Sequence, residues 1–505
     1  MARYGFERLS AQDMSFLMAE SDTAPMHVGG MAILEAEPLR GEDGGVDVAR
    51  YRAAVEAVLH RIPRYRQRLA WTPGEGWAVW VDDRHFDIGY HIRHIGLPKP
   101  GTQAQLRELA SRIFARPLDR GRPLWEIWVV EGVEGGEQFA LLNKIHHCMI
   151  DGAAGAGLAE ILLSPNREAP VEETLPFIPR PEPSGAELLL DAIRHRASLP
   201  GKALQAARDW LGAADAEPLA ELKRHARVFS ELVESSIWPA SDTPLGGALS
   251  PDRRFGWLTM PLEDVKELRR ELGCTVNDIV LATVAGAVER YLSRRRVDTS
   301  ELDFRVLAPV NVRRKEHEGQ LGNHVSSWIV PMPVDEADPL ERVSRVRDET
   351  AKLKKSGAAS GIEGLMAAAE WMSPEMLARG VSLAQGPVNM IVTNVPGPQF
   401  PLYSVGAKML ALYPAVPLLP GSGLGVALFS YEGRLCWGFQ ADAHLVPDLD
   451  AFAADVGAAF EELRASVAAG HLAKRTAVAE APPPVAEVRE PEATEESSEK
   501  HASAL

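Results

Sequence analysis

An apolar run from Phe139 to Ile145 ends in two adjacent histidines, His146 and His147, followed by Cys148-Met-Ile150 and then Asp151-Gly152. The run alternates well enough for a half-buried strand. Beyond Gly152 the small residues Ala153 to Ala159 lead into Glu160-Ile-Leu-Leu163, so the spacing predicts strand, tight turn and helix. Gly152 suits a backbone position that needs positive φ or close approach. Neighbouring side chains on a strand point to opposite faces, so only one of the two histidines faces a given cleft. The other faces the core or a structural partner. One imidazole thus stands at a strand end with an acid, Asp151, close by in sequence.

That pattern points to general-base chemistry. A neutral imidazole accepts a proton near pH 7, its unperturbed pKa being roughly 6.5, and a well-placed base gives about 10²–10⁴ in rate. A structural strand-end histidine and a zinc site are the competing readings. Adjacent strand histidines diverge, and no His-x-x-x-His or Cys-x-x-Cys spacing accompanies them, so no metal site is expected. Cys148 reads as a small buried side chain rather than a nucleophile.

At 505 residues the chain exceeds one ordinary core, and two or three domains are expected. The divisions predicted are 1–165 with the histidine motif, a connecting loop and helical linker over 166–252, a second α/β domain over 253–473, and a disordered Pro/Ala/Glu-rich acidic tail over 474–505. A formal net charge of −16 with no basic stretch to offset it argues against nucleic acid as a partner. Three widely spaced cysteines, Cys148, Cys274 and Cys436, argue against a disulfide framework and fit a reducing cytosol. Met1 to Arg8 has no apolar core of signal-peptide length. From Val381 to Tyr431 the only ionisable side chain besides tyrosine is Lys408, but Pro414, Pro417, Pro420, Gly421, Gly423 and Gly425 break any spanning helix. Buried strands and turns are expected there instead, either as plain core or lining an apolar cavity.

Along the chain, Ser10 caps a helix over 11–20, and a strand is expected from Met26 to Leu34, with His27 a second histidine of interest. Helices are predicted over 48–59 and 103–115, and strand-like segments over 77–81 and 88–95. The strand Pro123 to Val130 should pair with the motif strand through Gly132–Gly136. From Gly185 to Trp238 helices are expected, broken at Pro200-Gly201 and Pro218, with an apolar face that packs on the body or lies on a membrane surface. In the second half Gly273 stops a helix over 262–272, and Thr275 with Asp278 forms a capping box for the next. Strands are predicted over 304–311, 325–330 and 388–393, the last ending in a turn at Asn394–Pro398. Helices follow at 340–355 and 362–371, then a hairpin over Glu432-Gly433 and a last helix over 449–467.

His-His-x-x-x-Asp-Gly resembles the HHxxxDG acyltransferase superfamily. Within it the chain is similar to the bacterial wax ester synthase / diacylglycerol acyltransferase family from about Leu9 to Val467. The resemblance rests on Pro25-Met-His-Val-Gly29, Pro123-Leu-Trp125, the histidine motif, Asn277-Asp278, Pro309-Val-Asn-Val-Arg313, Gly322-Asn323 and Thr393-Asn-Val-Pro-Gly-Pro398. It implies two chloramphenicol-acetyltransferase-like α/β domains, each a mixed sheet flanked by helices, with an active-site tunnel between them. It further implies acyl transfer from long-chain acyl-coenzyme A (acyl-CoA) to the hydroxyl of a diacylglycerol or fatty alcohol, with no cofactor beyond the substrate and no covalent intermediate. In that carry-over His147 is the base, His146 supports it, and Asp151 orients the turn through Arg66 or Arg313. Gly152, Asn277, Pro123 and Trp125 then contact substrate. A peripheral site on the inner face of the membrane or on lipid droplets is implied by such substrates. A carrier-protein-dependent condensation enzyme and a non-catalytic lipid-droplet scaffold protein remain the alternatives.

Overall fold

A computed structural model describes residues 5–149, 162–170, 172–213, 240–311, 325–356, 372, 375–377, 379 and 388–480. The described strands of the two large sheets are β1 (His27–Glu35), β2 (Ile92–Gly96), β3 (Trp125–Val133), β4 (Gln138–His146), β5 (Arg253–Pro261), β6 (Arg305–Asn311), β7 (Val325–Pro331), β8 (Met390–Pro396), β9 (Tyr403–Ser404), β10 (Ala407–Ala415), β11 (Leu424–Tyr431) and β12 (Arg434–Asp442). The helices used below are α1 (Ala11–Ala19), α2 (Val48–Val58), α3 (Gln103–Ala115), α4 (Gly185–Ala213), α5 (Leu262–Leu272), α6 (Val276–Arg294), α7 (Pro339–Ser356) and α8 (Leu449–Glu480).

The first sheet runs β9-β10-β1-β4-β3-β2 and the second β7-β6-β8-β11-β12-β5. Both are mixed: β2 is parallel to β3, and β8 is parallel to β6 and β11, while the other neighbours are antiparallel. The expected β3–β4 hairpin forms, and β4 is buried along nearly its whole length, as a central strand covered on both faces should be. In the second half α6 is apolar all round and buried from Asp278 to Val288, so it serves as the central helix of that core. Thr275 and Asp278 close its capping box, and Gly273 at φ 61° ends α5.

One connection departs from the sequential division of the chain. Strand β10 belongs to the second half in sequence, yet it pairs antiparallel with β1, from Met409 opposite Leu34 to Ala415 opposite Gly29. Its residues Met409–Ala415 cover what would otherwise be an open sheet edge. In return β5 packs against α3 of the first half: the Phe255 N–H donates to Ser111 Oγ at 2.9 Å, and the buried Arg253 guanidinium donates to the Thr23 carbonyl. The region 253–473 therefore contributes to both sheets. Where β10 crosses β12, a Cβ on Gly438 would lie 1.8 Å from the Pro414 carbonyl oxygen, so the crossing requires glycine.

Four local expectations need correction. Residues 88–95 are not one strand: Asp87 accepts from the Gly89 N–H and caps a single helical turn, Ile88–His91, before β2 begins. Helix α4 runs through Pro200-Gly201 rather than breaking, since a proline removes only one backbone hydrogen bond from a long helix. Strand β8 continues through Asn394 to Pro396 because β11 accompanies it that far. Helix α8 extends to Glu480, past the predicted start of the tail at 474. The predicted helix over 362–371, the break at Pro218 and residues 481–505 lie outside the described residues. No single described helix is long and apolar enough to cross a membrane, and the described part of the Val381–Tyr431 stretch folds into strands and their connections.

Replacing Gly438 by Ala should lower the free energy of unfolding by about 1–3 kcal/mol through overpacking at the crossing. Urea denaturation of the two proteins checks this.

Candidate active site

The site is built where β4 ends. His146 is its last residue and lies directly opposite His27 on β1, so these two share a face. His147 begins a single 3-10 turn, His147–Met149, and its ring turns to other surroundings, as the alternation of strand side chains demands. The His146 N–H donates to the Leu124 carbonyl at 2.9 Å, and the His147 N–H donates to the Met26 carbonyl at 2.8 Å. Thus the Pro123-Leu-Trp125 and Pro25-Met-His elements hold the histidine pair by its backbone.

His146 is fully buried. Its Nδ1 accepts from the Cys148 N–H at 3.2 Å and lies 3.0 Å from Cys148 Sγ. Nε2 therefore carries the ring proton in the neutral form, and it faces Glu20 Oε1 at 3.4 Å. That separation is long and the geometry off-axis, so it is an electrostatic contact rather than a formed hydrogen bond.

Nothing in its sequence setting singles out Glu20, yet among the described residues its side chain, 6% exposed, is the acid that lies against His146. Its Oε1 accepts from the Met26 N–H at 3.1 Å, and its Oε2 accepts from Arg120 Nε and Nη2 at 2.9 and 2.7 Å. Burial by itself would raise the carboxyl pKa. Contact with His146 first, then Arg120 and the Met26 amide, outweigh this and hold it down at about 2.

His147 is half-buried, and its ring stacks on Phe16 of α1 with centroids 3.8 Å apart and planes 22° apart. Burial pushes its pKa down to about 4; the ring's own backbone carbonyl opposes the shift and His146 adds to it. The imidazole is therefore neutral at pH 7, the form a base requires. His27 is buried with its ring nitrogens unpartnered among the described residues, and burial, then Lys144 and His146, keep it neutral too. Cys148 is buried and its thiol pKa is pushed well up by burial, which agrees with its reading as a packing residue. Among the described residues no group of three or more His, Cys, Asp and Glu side chains is arranged around a common point for a metal.

The other predicted positions divide. Asp151, Gly152 and Arg313 lie outside the described residues. Arg66 is buried with its guanidinium 4.8 Å from the Phe177 ring centroid, donates to the Glu56 carbonyl at 3.3 Å, and has its pKa lowered by burial. Pro123 is buried, and its carbonyl accepts from the Trp125 N–H at 2.9 Å. Asn277 stands half-buried in the first turn of α6, with no hydrogen bond to either histidine among the described residues. Its neighbour Asp278 caps α6 and also accepts from Thr350 Oγ1 at 2.8 Å, a structural role.

Trp125 requires correction as a substrate contact. It is 1% exposed, its indole N–H donates to the Tyr65 carbonyl at 2.8 Å, and its ring stacks on His91 at 4.5 Å. The ring is core beneath the motif and has no free surface to offer a ligand. Trp125→Ala should accordingly cost about 3–5 kcal/mol of stability, the usual range for a buried aromatic. Chemical denaturation separates this from a cleft-lining residue, whose loss would leave stability nearly unchanged.

Comparison with known proteins bears on this geometry. The profile for "Wax ester synthase/diacylglycerol acyltransferase catalytic domain" matches residues 9–280, and that for "WS/DGAT C-terminal domain" matches residues 321–464. The chain is 32% identical over 451 residues to "Probable diacyglycerol O-acyltransferase tgs1" of Mycobacterium tuberculosis (strain ATCC 25618 / H37Rv), covering 87% of this chain and 92% of that protein. Among solved structures it is similar in fold to the wax ester synthase/diacylglycerol acyltransferase from Marinobacter aquaeolei VT8, with a TM-score of 0.64 at 24% identity over 92% of this chain and 100% of that one. A starter condensation domain of rhizomide synthetase RzmA shares the fold at a TM-score of 0.53 and 14% identity, covering 92% of this chain and 94% of that one. With both profiles matched in order and the two-sheet architecture in common, the chain belongs to the wax ester synthase/diacylglycerol acyltransferase family of O-acyltransferases.

Proposed function

We propose that this protein transfers a long-chain acyl group from acyl-CoA to the free hydroxyl of a diacylglycerol, and also to long-chain fatty alcohols. The observation that carries the reading is the His147 imidazole, held neutral at the end of β4 with its ring fixed against Phe16. In this mechanism His147 removes the acceptor hydroxyl proton as the oxygen attacks the thioester carbonyl carbon. The tetrahedral intermediate expels the coenzyme A thiolate as the C–S bond breaks, and protonated His147 returns the proton to sulfur. The thioester brings its own leaving group, so the protein's work is positioning and one base. No covalent acyl-enzyme is needed.

Asp151 and Gly152 complete the motif turn in this reading, with Arg66 or Arg313 as the partner of Asp151. Asn277 and Pro123 contribute to the substrate channel, a tunnel between the two sheets. Substrates with long acyl chains call for peripheral contact with a membrane or lipid droplet.

The experiment is release of free coenzyme A from palmitoyl-CoA with a diacylglycerol, a C16 alcohol or no acceptor. Acceptor-dependent release should fall by about 10²–10⁴ in His147→Ala. Release that survives this change overturns His147 as base, and no release with either acceptor overturns the acyltransfer reading.

The acid limb of the pH profile supplies a second test. Because the folded pKa lies below the ordinary value of 6.5, the neutral form persists as pH falls and is lost only near about 4. The limb of kcat/KM, which reports the free enzyme, should therefore appear near 4. A limb near 6.5 would mean that the base is not the His147 ring.

A further inference from the structure

Resting on the acyltransfer reading above, we propose that Glu20 is a positioning residue that sets the orientation of His147 through two separate routes, and so governs turnover rather than substrate affinity. The first route is the backbone. Glu20 Oε1 accepts from the Met26 N–H, and the Met26 carbonyl in turn accepts from the His147 N–H at 2.8 Å. One residue therefore transmits the position of the carboxylate directly to the backbone of the base.

The second route is His146. With Glu20 facing Nε2, the ring keeps its proton on that nitrogen and leaves Nδ1 free to accept from the Cys148 N–H, which closes the turn containing His147. A buried anion in this place favours that tautomer electrostatically. Arg120 balances the charge, donating through Nε and Nη2 to Glu20 Oε2 and through Nη2 to the Leu17 carbonyl at 2.9 Å. Arg120 thus fixes the end of α1, the helix whose Phe16 stacks on His147. Backbone, tautomer and ring stack all converge on one carboxylate with a 6% exposed side chain. Among the described residues, His27 and Lys144 lie on the His146 side of the sheet, and Asp13 and Arg64 act on Cys148.

The test compares wild type, Glu20→Gln and Glu20→Ala in acceptor-dependent coenzyme A release, with thermal unfolding to confirm that each variant is folded. Misplacing a base by a fraction of its reach costs up to about 10²-fold. Expected is a roughly 10- to 100-fold loss of kcat in the variants, smaller in Glu20→Gln, with KM for both substrates within about twofold. Folded variants whose kcat stays within about twofold of wild type overturn the proposal, as does a loss confined to KM.

Imidazole ¹⁵N spectra report the arrangement without turnover. Wild type should show His146 protonated on Nε2, and Glu20→Ala should lose that fixed tautomer. An unchanged His146 spectrum overturns the proposal even if the wild type releases no coenzyme A, an outcome that by itself counts only against the acyltransfer reading.

Discussion

The antiparallel pairing of β10 with β1 is the contact on which the rest of the architecture depends. It places a strand from late in the chain beside the strand that carries His27, whose other neighbour is β4. Without β10, β1 would present a row of unpaired backbone groups one strand away from the histidine pair. The same crossing brings β12 close enough to β10 to exclude any side chain at Gly438, so the two cores are held together by backbone approach as well as by side chains. Arg253 and Ser111 add polar contacts to the same junction.

On this frame the chemistry follows from environment. The two adjacent histidines have the same side chain and opposite surroundings. His146 is enclosed beside a carboxylate, whereas His147 meets an aromatic ring and no anion among the described residues. Removing an imidazole from water disfavours its charged form, and at His147 this outweighs the opposing backbone carbonyl. One histidine is thus placed to interact with charge while the other is kept neutral. A neutral imidazole and a neighbour set beside a carboxylate, one residue apart, are a consequence of strand alternation combined with burial.

Some of this was legible in the residues. The apolar alternation before His146 specified β4, Gly132–Gly136 specified its hairpin, and the Thr275–Asp278 and Gly273 signals marked the limits of two helices. These depend on neighbours in sequence, whose geometry is local. Trp125 fills the core, although an aromatic beside a motif looks the same in sequence whether it lines a cleft or fills a core. Glu20 is hard to pick out for a related reason. It is an acid just after a short helix, five residues before Pro25-Met-His, and its partner Arg120 lies three residues before Pro123, so neither residue is adjacent to the motif it supports.

The sequence by itself determined the α/β class, the strand-end histidines and the membership of an acyltransferase family, because periodicity, turn chemistry and motif spacing are written in consecutive residues. Only the tertiary structure decided that β10 completes the first sheet, that Trp125 belongs to the core, and that Glu20 lies against His146. Each of these is a contact between segments far apart along the chain. Such contacts are selected by which surfaces must be buried and which buried charges must find partners, and that competition is resolved only when the whole chain is folded.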